Sequence, residues 1–255
     1  MTTSGRGDHE VLFVKEADSP RRSDAVSVAV SLYNYERFLV DCLDSVKAQT
    51  HVAVDLIVVD DASRRDGSAD RCRSWLEDNA ARFNRAVLVR HRENRGLAAA
   101  RNTAFEIART AFVFVLDADN SIYPRALARL LAAARDAAAE VTYSQLEIHG
   151  DSIGIGHADV WSQRRMRIGN YVDAMALVSR SAWREVGGYT HLNGGWEDFD
   201  FWCKLMERGI PALFVPEILC RYRVHGTSML RTDTASSTEQ LKVDLTIRHP
   251  WLELI

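Results

Sequence analysis

Short apolar runs separated by amphipathic stretches fill the first half of the chain. Residues 26–32 (VSVAVSL), 54–59, 86–89 and 112–116 are apolar and rich in β-branched or aromatic side chains. Such runs predict strands covered on both faces. Residues 37–48 place Phe38, Leu39, Cys42, Leu43 and Val46 at helical spacing, and residues 68–79 do the same with Ala69, Cys72, Trp75 and Leu76. A third helix is predicted over 96–108. The order β-α-β-α-β-α-β implies a parallel, right-handed, doubly wound sheet.

The pattern changes after a helix predicted over 123–138. Residues 141–148 alternate like a half-exposed strand, and 174–178 read as another short strand. Residues 150–169 read as a loop carrying Gly154, Gly156, Trp161, Arg164, Arg165 and Arg167. A short helix over 181–186 is stopped by Gly187-Gly188. Asn193-Gly194-Gly195-Trp196 opens a helix that Gly209 closes, and two strands follow at 212–215 and 219–224. These features divide the chain into a polar leader (1–24, with room for one edge strand at 11–14), a domain over 25–231 with halves at 25–120 and 121–231, and a helical tail (232–255).

Three of the first four strands end in polar clusters: Tyr33-Asn34, Asp60-Asp61 and Asp117 to Asp119. In a doubly wound sheet these clusters gather along the carboxyl edge, where such sheets bind ligands. The clearest is AFVFVLDADNSIYP at 111–124. Two carboxylates and an amide within four residues suit a hard divalent cation, and a bound diphosphate is the usual reason for one. The plainer reading is a polar turn before a helix with Pro124 in its first turn.

Composition narrows the function classes. A net charge of −3 with interspersed signs gives no basic stripe for nucleic acid. The four cysteines are far apart and form no metal-binding pair, so reduced thiols in a cytosolic protein are expected. No apolar run is long enough to span a membrane, and the first ten residues lack the core of a signal peptide. A cytoplasmic protein is expected, with docking on a membrane surface left open.

Seven segments in order carry a resemblance. They are VSVAVSLYNYERFLVDCLDSVKAQT (26–50), LIVVDDASRRDGS (56–68), ENRGLAAARNTA (93–104), VFVLDADN (113–120), ALVSRSAWREVGGY (176–189), GGWEDFDFWCKL (194–205) and YRVHGTSM (222–229). Together they resemble the family 2 glycosyltransferases. One departure is Ser31, where that family commonly has proline. The resemblance implies the GT-A fold, a Rossmann-like three-layer α/β/α arrangement with a mostly parallel central sheet and a smaller acceptor-side β element. It also implies inverting transfer of a sugar from a nucleotide-sugar donor, with UDP the first carrier to expect and GDP and dTDP behind it. A saccharide or glycolipid acceptor follows, as in polysaccharide or glycoconjugate synthesis.

The same resemblance assigns roles. Tyr33 would stack on the base and Asp61 accept from a base or ribose donor, with Ser31 nearby. Asp60 has the competing role of capping its turn with Ser63. Arg95 and Arg101 follow Asn94 at a helix start, where anions are attracted. They are phosphate candidates, against a capping asparagine and a solvated arginine. Asp119 would be the direct ligand of Mn2+ or Mg2+, and Asp117 would contact ribose or the metal's water. His225 would complete the metal shell or touch the diphosphate, or else serve as a structural histidine. Asp198 is the expected catalytic base, with Trp196 and Glu197 beside the acceptor or sugar. The alternative is an acidic first helical turn and a core tryptophan. Arg164, Arg165 and Arg167 would meet an anionic acceptor or simply face solvent.

Other classes fit less well. A dinucleotide-dependent oxidoreductase would need GxGxxG after the first strand, and that turn reads SLYNYERF. A nucleotidyltransferase would carry a glycine-rich loop there. A nucleotide-sugar-binding protein without transfer activity would not need Asp61, Asp119 and Asp198 together.

Overall fold

A computed structural model describes residues 8–17, 23–226 and 233–255. The tips of the expected leader (1–7 and 18–22) and Thr227 to Met229 of the YRVHGTSM segment lie outside the described residues. Ten strands form one sheet. Its first half is β1 (His9–Glu16), β2 (Val26–Leu32), β3 (Val54–Asp60), β4 (Arg85–His91) and β5 (Phe112–Asp117). Strands β4-β3-β2-β5 lie side by side in parallel, and β1 pairs antiparallel with β4 as the edge strand. Every residue of β2 and β3 is buried, as the unbroken apolar runs require.

Helices cover both faces. Successive strand residues point to opposite sides, so Val28 and Val30 pack with α1 (Glu36–Lys47) and α2 (Ser68–Asn79) while Ala29 packs on the other side with α3 (Leu97–Ile107). The helical stripe Leu39, Cys42, Leu43 and Val46 is buried in the first of these cores.

The second half extends the same sheet. It comprises β6 (Ser121–Ile122), α4 (Ala126–Asp136), β7 (Val141–Gly150), β8 (Gly154–Ile155), α5 (Gln163–Met166), β9 (Ala176–Ser179), α6 (Arg180–Glu185), α7 (Glu197–Glu207), β10 (Ala212–Val224) and α8 (Asp233–Arg248). The sheet continues β5-β9-β7-β10-β6, with β8 paired to β7. Strand β9 runs antiparallel to both its neighbours, whereas β10 is parallel to β7. The result is a mostly parallel sheet with antiparallel insertions in its second half. Helices α7 and α8 complete the second core through Phe201, Trp202, Leu241 and Leu245.

Two local expectations change. The strands expected at 212–215 and 219–224 are one strand, with register shifts around Ile218. Pro216 has no N–H to give a ladder, and bulges are where strands accommodate proline. The expected loop at 150–169 contains β8 and α5, which are too short for periodicity to reveal. Among the described residues no helix is long and apolar enough to cross a membrane.

Candidate active site

The strand order reverses at the β2–β5 boundary, the place where open sheets leave a ligand crevice. Two backbone bonds fasten the polar clusters there: Ala118 N donates to Ser31 O at 3.1 Å, and Asp61 N to Leu32 O at 2.9 Å. Ser31 is buried, while Tyr33 is 39% exposed. Asn34 shapes the wall, since its Oδ1 accepts from Arg64 N and Arg65 N.

The two acids after β3 have different surroundings. Asp60 is buried, accepts from Ser63 N at 3.3 Å and pairs with Arg90 at 3.1 Å. Burial raises its pKa against those partners. It caps the turn. Asp61 Oδ1 takes His91 Nδ1 at 2.6 Å and Arg95 N at 2.9 Å, and Oδ2 takes Gly96 N at 2.8 Å. The carboxylate therefore sits at the start of α3, where the helix dipole stabilises a negative charge. Gly96 is required because φ is +85° and a Cβ would stand 2.8 Å from His191 Nδ1. The Arg95 guanidinium turns outward to Asp8 at 3.1 Å, so the structure does not bring it to the other site residues.

Helix α3 instead delivers Arg101. Its Nη2 donates to Asp117 Oδ1 at 3.2 Å and Oδ2 at 3.1 Å. Only 3% of the arginine is exposed, and its guanidinium lies 5.4 Å from the Tyr189 ring centre. Burial works against the charge, but Asp117 foremost among nearby groups holds its pKa above the usual range. Arg101 Nε and Tyr189 Oη are both buried without a hydrogen bond among the described residues. Unsatisfied buried polar atoms are costly, and at a crevice floor they mark where a ligand or water belongs.

Asp119 meets His225 across the rim, Oδ2 to Nε2 at 3.0 Å. The imidazole is wedged against Phe38 and Tyr35, at centroid distances of 4.6 and 5.6 Å. Strand β10 is registered here because Arg223 N donates to Asn120 Oδ1 at 2.8 Å and Arg223 Nε to Asp119 O at 3.0 Å. Burial, with Asp117 behind it, raises the Asp119 pKa, and His225 opposes this. Among the described residues no three His, Cys, Asp or Glu side chains form a metal cluster. A small divalent cation does not need one. It commonly takes one or two carboxylates and fills the rest with phosphate oxygens and water. The Asp119–His225 pair fits that pattern.

Helix α7 begins under strain. Trp196 has φ 63°, a left-handed conformation unusual for a bulky aromatic residue and typical of functional sites. The three acids of the first turn then diverge. Asp200 is fully buried against Arg248 (2.5 Å), His249 (3.1 Å) and Lys204 (3.3 Å). Burial would raise its pKa, but these partners hold it well below the ordinary value. Glu197 and Asp198 remain on the Arg101 side. Burial raises both pKa values and Arg101 opposes it. Asp198 Oδ1 accepts from Phe199 N at 2.8 Å and Oδ2 from Asn170 Nδ2 at 3.1 Å.

Three residues near these acids carry no signal of their own in the sequence. Asn170 touches Asp198, and Tyr189 lies under Arg101. Asp173, between α5 and β9, is pushed up to about 7 by burial, with Asp198 and Asp117 adding to it. Only the Asx spacing of GNYVD hints at a structured turn, since Asn170 Oδ1 and Asp173 Oδ1 each accept a backbone N–H two residues on.

Paired acids thus stand at the switch point of a three-layer α/β/α fold. The model of glycosyl transferase family 2 matches residues 27–187, and the chain belongs to that family. S. aureus TarS 1–349, solved with UDP-GlcNAc, superposes with a TM-score of 0.71 at 16% identity, covering 87% of this chain and 66% of that one. The mannosyltransferase PcManGT of Pyrobaculum calidifontis, solved with GDP-Man and Mn2+, gives 0.67 at 22% identity, covering 92% and 68%. At these identities the likeness shows the GT-A fold alone. In sequence, the Escherichia coli UDP-Glc:alpha-D-GlcNAc-diphosphoundecaprenol beta-1,3-glucosyltransferase WfaP is 21% identical over 81% of this chain and 80% of its own length. Other curated relatives are longer, and the chain spans 31%, 43% and 32% of three of them.

Proposed function

We propose that this domain moves a sugar from a nucleoside diphosphate, UDP first, to an acceptor hydroxyl with inversion at the anomeric carbon. The observation that carries the reading is Asp198. It is a half-buried carboxylate with one backbone and one amide donor, near enough to Arg101 for that cation to counter the effect of burial on its pKa. Tyr33 supplies a platform for the base. Asp61 keeps one lone pair, on Oδ2, beyond those given to His91 and the backbone N–H groups of Arg95 and Gly96, and this accepts from the base or ribose. Ser31 lies beneath. Asp117, oriented by Arg101, faces the ribose. Arg95 acts through its backbone N–H on Asp61.

Asp119 and His225 would hold Mn2+ or Mg2+. When bound, the cation supplies Lewis-acid neutralisation of the departing diphosphate. The chain's own residues do the rest. The acceptor oxygen attacks the anomeric carbon from the face opposite the leaving group. Its proton passes to Asp198 Oδ2 as the new C–O bond forms. The old bond to the diphosphate breaks, and its electron pair leaves with the phosphate oxygen. Inverting glycosidases place a base in the same relation to the ring, and such help is worth about 10²–10⁴-fold. Trp196 and Glu197 line the sugar or acceptor side.

Saccharide or glycolipid acceptors fit the reading, because WfaP is named for a diphosphoundecaprenol-linked sugar. A lipid-linked acceptor would bring the domain to a membrane surface. Four buried, unpaired cysteines fit a reducing cytoplasm. The test is a panel of UDP-, GDP- and dTDP-sugars with Mn2+ and saccharide or lipid-linked acceptors, the product anomer being read by NMR. Inversion is expected, and a retained anomer contradicts the reading.

A further inference from the structure

The loop between α5 and β9 approaches Asp198, and nothing so far gives its amide a role. Asn170 is solvent-exposed, yet both ends of its side chain are engaged. Val172 N donates to Oδ1 at 3.0 Å, and Nδ2 lies 3.1 Å from Asp198 Oδ2. An amide cannot normally be told from its flipped form by shape alone. Here the backbone N–H of Val172 decides it, because only the oxygen end can accept. The NH2 end must therefore face the carboxylate.

The loop is fixed to the parts it serves. Trp202 Nε1, from the helix that carries Asp198, donates to Val172 O at 2.9 Å, and Val172 is buried. Met175 N, at the entry to β9, donates to Asp173 Oδ1 at 2.8 Å. An exposed amide on a core-anchored turn fills no packing space. Among the described residues its one side-chain partner is the carboxylate of the candidate base.

We propose that Asn170 is a positioning residue that orients the Asp198 carboxylate and holds it ionised, leaving the second lone pair of Oδ2 open to the acceptor proton. This rests on Asp198 being the base. Each carboxylate oxygen has two acceptor sites. Phe199 N fills one on Oδ1 and Asn170 one on Oδ2. Donors to the charged form favour ionisation, against the burial that raises this group's pKa. Other groups act on Asp198 from neighbouring elements: Arg101 on α3, Asp117 on β5, Asp173 in the same loop, Tyr189 before α7, Tyr222 on β10, and Glu197 beside it. A substitution at 170 leaves all of them in place.

The test compares Asn170→Ala with Asn170→Asp. The readout is UDP release from UDP-N-acetylglucosamine or GDP release from GDP-mannose, whichever the wild type turns over with Mn2+. Asn170→Ala should lower kcat about 10- to 100-fold, the loss expected for one hydrogen bond to a charged group. It should also move the acidic limb of the kcat–pH profile upward, with donor KM unchanged. Asn170→Asp keeps the shape and the Val172 bond but sets a carboxylate against Asp198. It should therefore lose more and shift the limb further. In an Asp198→Asn background, Asn170→Ala should cost nothing more, since the two act as a unit. Wild-type kcat and pH profile in both variants would overturn the proposal. So would Asn170→Asp outperforming Asn170→Ala, which a purely structural turn predicts. Undiminished turnover in Asp198→Asn alone would remove the base assignment itself.

Discussion

Arg101 Nη2 stands 3.1 Å from Asp117 Oδ2, and this part-buried pair ties helix α3 to the end of strand β5. The same guanidinium counters the raised pKa values of Glu197, Asp198 and Asp173. One cation thus sets the electrostatics of four carboxylates. Arg101→Met should leave them uncompensated. Donor affinity should fall, and the pH at which turnover is half lost should rise. Arg101→Lys should recover only part of this, because an ammonium lacks the planar fork. An unshifted pH profile in Arg101→Met would contradict the arrangement.

Asp119→Ala removes one of the two side chains proposed to hold a cation. The affinity for the nucleoside diphosphate should become insensitive to added Mn2+, measured by calorimetry with and without the ion. An unchanged metal dependence would reject the assignment.

Much of this arrangement is legible in the sequence. The four parallel strands follow from unbroken apolar runs, and their polar ends mark the rim. Asp117, Asp119, Arg101 and Asp198 all sit in the segments that carry the resemblance. What pattern does not give is direction. The Arg95 side chain turns to Asp8, while its backbone N–H goes to Asp61. Asp200 reads like a sibling of Asp198 but faces the opposite side of α7, two positions along a 3.6-residue period. Asn170 and Asp173 stay hidden because a loop's tertiary position has no periodicity to betray it. The antiparallel β9 is equally silent, four buried residues compatible with either direction.

Asp200 should be a stability residue. Removing one member of a buried charged network leaves the others uncompensated, at a cost of about 3–5 kcal/mol. Asp200→Ala should lower Tm strongly. Because its folded pKa is depressed, its contribution is present above the ordinary carboxylate pKa and fades as pH falls below it. Burial lowers the His249 pKa, but Asp200 and Glu207 together raise it, so His249 contributes below its unfolded pKa and loses that contribution as pH rises through the folded one. Thermal melts across pH should show the Asp200 trend vanish in Asp200→Ala and the His249 trend weaken, with Glu207 still in place.

Asp173 carries the opposite sign. Its carboxyl is raised from 3.8 to about 7 in the folded chain, so ionising it opposes folding. That cost begins above pH 3.8 and is complete above about pH 7. Asp173→Asn should therefore raise Tm at pH 8. The gain should shrink as pH falls through that window and disappear below pH 3.8. A pH-independent change in Tm would mean that the carboxyl is not perturbed by its neighbours.

The most direct test is Asp198→Asn, read in two assays on the same protein. Sugar transfer should fall at least about 10²-fold, in line with loss of a general base, while calorimetric affinity for the nucleoside diphosphate with Mn2+ stays within about twofold of wild type, a difference well below 1.4 kcal/mol. Transfer at the wild-type rate, or loss of donor affinity together with transfer, would contradict Asp198 as the group that takes the acceptor's proton.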